Sequence, residues 1–462
     1  MRAVFVLMLL CGILSPSIAQ TDDYELGVII DSVRVSGAEN ETFALYLPTS
    51  YKSEVLSPIV FIFHPGGSGS HGVSLFVKAA EKYGYVLVCS NNNKNGPQQQ
   101  NFDYTNRLFE HIFSNFNIDN NRIYTAGFSG GSRLATAIAV LTKRIQGVIA
   151  CGSGFPGNVA PVGIESFSYA GIVGDRDMNY MEMKNNKKLL SALGVSNELF
   201  TYGIAHQWPT QDQLVVAFDW LQLEAHKKGL VELDLSELEE LYQQALKRAE
   251  LNYDPKNLIR LHERYERAAN NFSSYFGVDS IVQKARSLRA TEAFKTQQRQ
   301  YTEALIKEQE LAENYTQKLL EDIEKSKPNA QPWEKRIAKI LQQIEETSDP
   351  FEKRMFQRII AQLAVTSYEA AYSRSDSLTL QQLMFCFDVW IYTAPDRPYG
   401  YFVQIRNAMK IPDQKLTLNY LERLIASGYK DYKSIANFEP LDPLRNSAEY
   451  QEIIQKIKND NE

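Results

Sequence analysis

Cysteine is scarce in this sequence: four residues in 462. The three outside the N-terminal segment, Cys89, Cys151 and Cys386, are an odd number. They read as small buried apolar side chains rather than as nucleophiles or as a staple. An excess of one charge is also missing, since 49 Lys and Arg stand against 55 Asp and Glu, a net of −6. With Lys and Arg mixed among the acids, nothing suggests the basic domain or stripe of a nucleic-acid binder, and a mild negative charge mostly serves solubility. Apart from the first residues, no stretch is apolar for long enough to cross a bilayer, so a soluble mature protein is expected.

What is present begins at the N-terminus. Arg2 precedes an apolar run from Ala3 to Leu14, followed by Ser15-Pro16-Ser17-Ile18-Ala19-Gln20. A charged start, a short apolar stretch and small residues at positions 17 and 19 make a secretory signal peptide, with cleavage expected after Ala19. An uncleaved membrane anchor is the other reading. Export would leave the protein in a periplasm or outside the cell.

From Thr42 to about Leu223 short apolar runs alternate with amphipathic stretches. Seven runs read as strands: Phe43–Leu47, Ile59–Phe63, Tyr85–Val88, Ile123–Ala126, Gly147–Ala150, Tyr169–Val173 and Leu199–Tyr202. Helices are predicted over Tyr104–Phe116, Ser132–Thr142, Met183–Leu193 and Asp212–Leu223. Strands that are apolar throughout, spaced by helices, imply an α/β domain with a mainly parallel sheet covered on both faces. Beyond Leu223 the strand signal stops, and Glu232–Glu462 is rich in Glu, Gln, Lys, Leu and Ala at helical spacing. Ser236-Glu237-Leu238-Glu239 reads as a capping box. One or two long amphipathic helices are predicted over 279–325, and shorter ones after that, including Tyr399–Lys410 and Lys415–Ser427. The expected division is therefore a signal peptide over 1–19, an α/β domain over 20–225, long helices over 226–350, and paired helices over 351–462. The stretch Ala361–Lys458 resembles degenerate tetratricopeptide-type repeats, which would take a protein partner; an irregular helical bundle is the alternative.

Gly127-Phe128-Ser129-Gly130-Gly131 sits between the strand Ile123–Ala126 and the helix that starts near Ser132. So sharp a strand-to-helix turn leaves no room for Cβ atoms around the serine, which accounts for glycine on each side. It lifts the Ser129 hydroxyl above the sheet, and the following helix directs its N-terminus at the reacting carbon. An inert serine in a structural turn is the alternative. The glycine-rich segment His64-Pro65-Gly66-Gly67-Ser68-Gly69 is the candidate oxyanion loop. Pro65 has no N–H, so the Gly66 amide is expected to donate together with that of Gly130. Phosphate binding is excluded for this loop because no Lys-Ser/Thr follows.

In α/β-hydrolases the catalytic order is serine, acid, histidine. Of the histidines after Ser129, His226 flanks Lys227-Lys228 and His262 lies among the later helices. His206, in a loop directly after a strand, is the expected base. The acid lies in Gly174-Asp175-Arg176-Asp177-Met178-Asn179, where position alone leaves Asp175 and Asp177 both open.

Together these segments resemble the polyhydroxybutyrate depolymerase and feruloyl esterase group of α/β-hydrolases. The resemblance is carried by the His-x-Gly-Gly loop, by Asn117-Ile118-Asp119 before Arg122-Ile123-Tyr124, by the turn at Ser129, by a Gly-x-x-Asp, and by His206, Trp208 and Pro209 of a Gly-x-His-x-Trp-Pro signature. It spans Thr42–Leu223. It implies an α/β-hydrolase fold, with Cys89 and Cys151 about 14 Å apart on strands separated by two others, too far for a disulfide. It also implies a serine esterase, with the acid on Asp177, acting on feruloyl or acetyl esters of polysaccharides or on polyesters, with neither metal nor organic cofactor. Two other readings are an interaction protein with a slow or inactive hydrolase-like half, and a peptidase of the prolyl-oligopeptidase type. No β-propeller precedes the domain, which disfavours the latter.

Overall fold

The computed structural model describes residues 24–159, 167–251 and 253–459. The segment 1–19, expected from the sequence to be a signal peptide, lies outside the described residues. The chain forms two compact units, Met1–Gln297 and Gln298–Glu462.

The first unit is built on one eight-stranded sheet, with strands β1 (Ile29–Arg34), β2 (Thr42–Tyr46), β3 (Ser57–Phe63), β4 (Val86–Ser90), β5 (Ile118–Phe128), β6 (Gly147–Cys151), β7 (Ser168–Gly174) and β8 (Asn197–Tyr202). Their order is β1-β2-β4-β3-β5-β6-β7-β8. The β1–β2 and β2–β4 pairs are antiparallel, and every later pair is parallel. This is the α/β-hydrolase fold. Every residue of β3, β4, β6 and β7 is buried, as a parallel sheet covered on both faces requires.

The covering helices are α1 (Gly69–Ser74), α2 (Val77–Tyr83), α3 (Gln98–Asn115), α4 (Gly130–Thr142), α5 (Tyr180–Ala192) and α6 (Gln211–Lys227). One face of the sheet buries Val60, Ile62, Tyr124 and Ile149 against Phe76, Phe218 and Leu221. Cys89 on β4 and Cys151 on β6 have β3 and β5 between them, and all three cysteines described are buried and free.

Strand β1 is absent from the sequence expectation. Its residues are half-buried or exposed, its ladder shifts register between Ile30 and Val33, and Ser32 takes φ 61 there. An edge strand with one bulge loses the alternation that would reveal it.

After α6 come α7 (Leu235–Glu250), α8 (Leu258–Phe272) and α9 (Asp279–Ala290), which belong to the first unit. The capping box of α7 is Asp234 with Glu237 rather than Ser236 with Glu239. The aspartate accepts from the Glu237 amide at 2.9 Å, and the glutamate returns a bond to the Asp234 amide at 2.9 Å. Two acceptors meeting two orphan amides fix the helix start there.

Four ion pairs tie α7 and α8 to the sheet domain. Arg248 pairs with Asp219, Arg260 with Asp175 at 3.3 Å, Glu263 with Lys184 at 2.8 Å, and Arg267 with Glu198 at 3.3 Å.

The long helix α10 (Glu292–Ile323) leads into the second unit. There follow α11 (Gln331–Glu346), α12 (Pro350–Ser373), α13 (Leu380–Thr393), α14 (Pro398–Ala408), α15 (Gln414–Ala426), α16 (Tyr432–Ala436) and α17 (Ala448–Asn459). Helices from α11 to α15 pack each on the next. Leu421, Leu424, Ile405 and Ile453 form the centre of one apolar cluster. No described helix is long and apolar enough to cross a membrane.

Arg358 on α12 donates from Nε to Glu308 of α10 at 2.7 Å, and both side chains are 5% exposed. Removing Glu308 takes a two-pronged carboxylate away from a guanidinium that is buried. Glu308→Ala should cost about 3–5 kcal/mol, read by calorimetry as an early transition in the full chain. An unchanged transition would mean that the pair is hydrated.

Candidate active site

The site forms at the C-terminal ends of three parallel strands. Ser129 follows β5, Asp177 lies in the turn after β7, and His206 lies in the loop after β8. The open end of a parallel sheet is where loops from separate strands converge.

Ser129 sits at φ 54 and ψ −121, a backbone region costly for a residue with a Cβ. Its neighbours make that conformation possible. A Cβ on Gly131 would lie 2.0 Å from the carbonyl oxygen of Phe63, and one on Gly127 would lie 2.3 Å from the carbonyl of Gly131. The turn is therefore compressed between β3 and the first turn of α4, where only glycine fits. Further bonds hold it from outside. The Ser129 amide donates to the Cys151 carbonyl at 2.9 Å, and the Ser153 hydroxyl donates to the Ser129 carbonyl at 2.5 Å.

His206 Nδ1 lies 2.9 Å from Asp177 Oδ2, and its Nε2 lies 3.0 Å from Ser129 Oγ. An ionised carboxylate can only accept, so Nδ1 carries the proton and Nε2 is left to accept from the serine hydroxyl. Asp177 is 1% exposed, and its other oxygen accepts from the Asn179 amide at 2.9 Å. Phe128 backs the imidazole, with ring centroids 4.6 Å apart, and Trp208 lies 5.2 Å beyond on the same phenyl. Gly174 lets the two loops meet, since a Cβ there would lie 2.1 Å from the Ile204 carbonyl oxygen.

Of the two aspartates open from the sequence, Asp177 faces the histidine and Asp175 faces Arg260. The Arg176 side chain donates to the Gly203 carbonyl at 2.9 Å. One short turn thus reaches the imidazole, the loop that carries it, and helix α8.

The glycine-rich loop after β3 lies against the loop after β4. The Asn95 amide donates to the Pro65 carbonyl at 2.8 Å, and the Gly69 amide to Asn91 Oδ1 at 2.8 Å. The two expected oxyanion donors differ. Gly130 opens α4 beside Asn95, so close that a Cβ would lie 2.0 Å from Asn95 Oδ1. The Gly66 amide instead donates to His64 Nδ1 at 3.0 Å. An imidazole two residues upstream captures a loop amide in a way that residue type alone does not reveal.

Several supporting residues escaped the sequence reading. Asn179 carries a visible signal, being in the same turn as Asp177. Its side chain donates to the Gly152 carbonyl at 2.6 Å. Arg133 on α4 forms a two-pronged pair with Glu182 on α5 at 2.9 and 2.7 Å, and Glu182 also accepts from the Gly154 amide. This clamp joins the helix after Ser129 to the helix after Asp177, and no local pattern announces it.

No family model matches the chain, and no curated protein matches it. Among solved structures it is similar to the S-formylglutathione hydrolase of Staphylococcus aureus, at 14% identity over 42% of this chain and 96% of that one, with a TM-score of 0.34. It is also similar to the feruloyl esterase module of Clostridium thermocellum, at 12% identity over 42% and 88%, with a TM-score of 0.36. A third is an α/β hydrolase from the metagenome of Lake Arreo, at 14% identity over 45% and 85%, with a TM-score of 0.36.

His64 titrates below the usual histidine value of 6.5, chiefly through burial and then through the neighbouring His71. His111, which accepts from the Ser36 amide at 3.0 Å, is lowered by burial as well. A lowered folded-state value means that the unfolded chain binds more protons below pH 6.5. The stability these rings contribute is present above 6.5 and lost as pH falls through their folded values. Melting temperatures should fall between about pH 7.5 and pH 5, and the double variant His64→Gln, His111→Gln should flatten that slope. An unaltered slope would contradict the assignment.

Proposed function

We propose that this protein is a serine esterase, and that Ser129, His206 and Asp177 carry the chemistry. The observation that carries the reading is the unbroken line of hydrogen bonds from Ser129 Oγ through the imidazole to the buried Asp177. Ser129 attacks the ester carbonyl while His206 Nε2 takes its proton, and Asp177 holds the tautomer and stabilises the imidazolium. The proton then passes to the leaving alcohol. A water activated by the same imidazole cleaves the acyl-enzyme, releasing the acid.

The tetrahedral oxyanion is held by the amides of Gly130 and Gly66. Gly66 must exchange its bond to His64 Nδ1 for one to the oxyanion, which couples substrate binding to a movement of that ring. The motif resemblance favours feruloyl, acetyl or hydroxyalkanoate esters. The N-terminal apolar segment supports export, and the stacked helices of the second unit support a protein-binding role there.

The test is labelling of the purified full chain with a fluorophosphonate, followed by ester kinetics. Ser129→Ala and His206→Ala should abolish labelling. Asp177→Asn should lower kcat by roughly three to four orders of magnitude, whereas Asp175→Asn should act mainly on stability. No labelling of folded wild-type protein would sink the esterase reading. Equal losses from the two aspartate variants would sink the division of roles between them.

A further inference from the structure

Away from the Ser129 site, the first unit contains a partly open cavity of about 570 Å³ lined mainly by β8, α6, α7 and α8. Its size falls within the range of small-molecule pockets, about 300–1,000 Å³. The walls are largely apolar, including Phe200, Trp220, Leu241 and Phe272.

The charges around it do not balance. Asp219 accepts from Lys82 at 2.7 Å and also pairs with Arg248. Glu198 pairs with Lys187 at 2.7 Å and with Arg267 at 3.3 Å. Asp219 and Glu198 thus already serve two cations each, and Asp212, the other carboxylate of the wall, is exposed and pairs with Lys78. Arg264, also in the wall, donates only to backbone carbonyls, Arg248 at 3.5 Å and Leu251 at 3.3 Å, and forms no ion pair among the described residues. Burial and then the nearby Arg260 lower its pKa, the direction expected of a guanidinium without an acid. Arginine nonetheless stays charged in proteins. A guanidinium held half out of water among other cations is costly unless an anion joins it.

We propose that this cavity binds a free apolar carboxylic acid, its carboxylate paired with the Arg264 guanidinium and its hydrocarbon lying among Phe200, Trp220, Leu241 and Phe272. A planar fork matches a carboxylate with two parallel bonds. One uncompensated guanidinium suits a single negative charge, and the apolar walls exclude a heavily hydrated polyanion. The site is separate from the ester chemistry and stands whether or not Ser129 is reactive.

The experiment is calorimetric titration of the full chain with octanoate and, separately, with 1-octanol. Octanoate should saturate at one site and bind at least about tenfold tighter than the alcohol. Arg264→Gln should remove that preference while leaving the weaker octanol binding, and Ala245→Phe, which fills the cavity, should weaken both. No saturable octanoate binding would overturn the proposal. So would octanoate binding unaltered in Arg264→Gln. If Arg264→Gln fails to fold, wild-type protein that binds octanol as tightly as octanoate overturns it equally.

Discussion

The Phe63 carbonyl oxygen presses on Gly131 so closely that a methyl group there would overlap it. That contact sets how near α4 comes to β3, and hence how sharply the chain must turn after β5. The sharp turn forces Ser129 to φ 54 and raises its hydroxyl to where the loops after β7 and β8 end. Strain of this kind persists only where the surroundings over-determine it. Here they do, through the Cys151 and Ser153 bonds to the Ser129 backbone and the Arg133–Glu182 clamp on α4.

The turn that holds Asp175 and Asp177 carries the second constraint. Asp175 and Asp177 are two residues apart and both nearly inaccessible, yet they face different partners. Asp177 faces an imidazole, and Asp175 faces a guanidinium supplied by α8. A single buried carboxylate would need one set of partners; two in one turn need two, and the helices after α6 supply the second. This gives α7 and α8 a reason to lie against the sheet domain, and their four ion pairs anchor them there. Buried pairs of this sort add little net stability but are costly to break singly.

Much of this was legible in the sequence because the constraints were local. The apolar runs of β3, β5 and β7 are continuous, and the glycines around Ser129 mark a turn with no space for side chains. His206 follows a strand directly. The elements that escaped notice depend on distant contacts or on irregular edges. β1 carries Asp31 and Ser32 in its middle, where alternation breaks. The start of α7 was decided by Asp234, which competes with Ser236 and accepts its bond two residues earlier. The engagement of Gly66 by His64 depends on how a ring folds back on its own loop, and the Arg260–Asp175 pair joins residues 85 apart.

Acylation of Ser129 is read by intact-protein mass spectrometry after acid quench of the full chain with p-nitrophenyl acetate. A mass gain of one acetyl group is expected, mapping after proteolysis to the peptide containing Gly127–Gly131 and vanishing in Ser129→Ala. Acetyl on another residue, or steady hydrolysis with no adduct on Ser129, would contradict it.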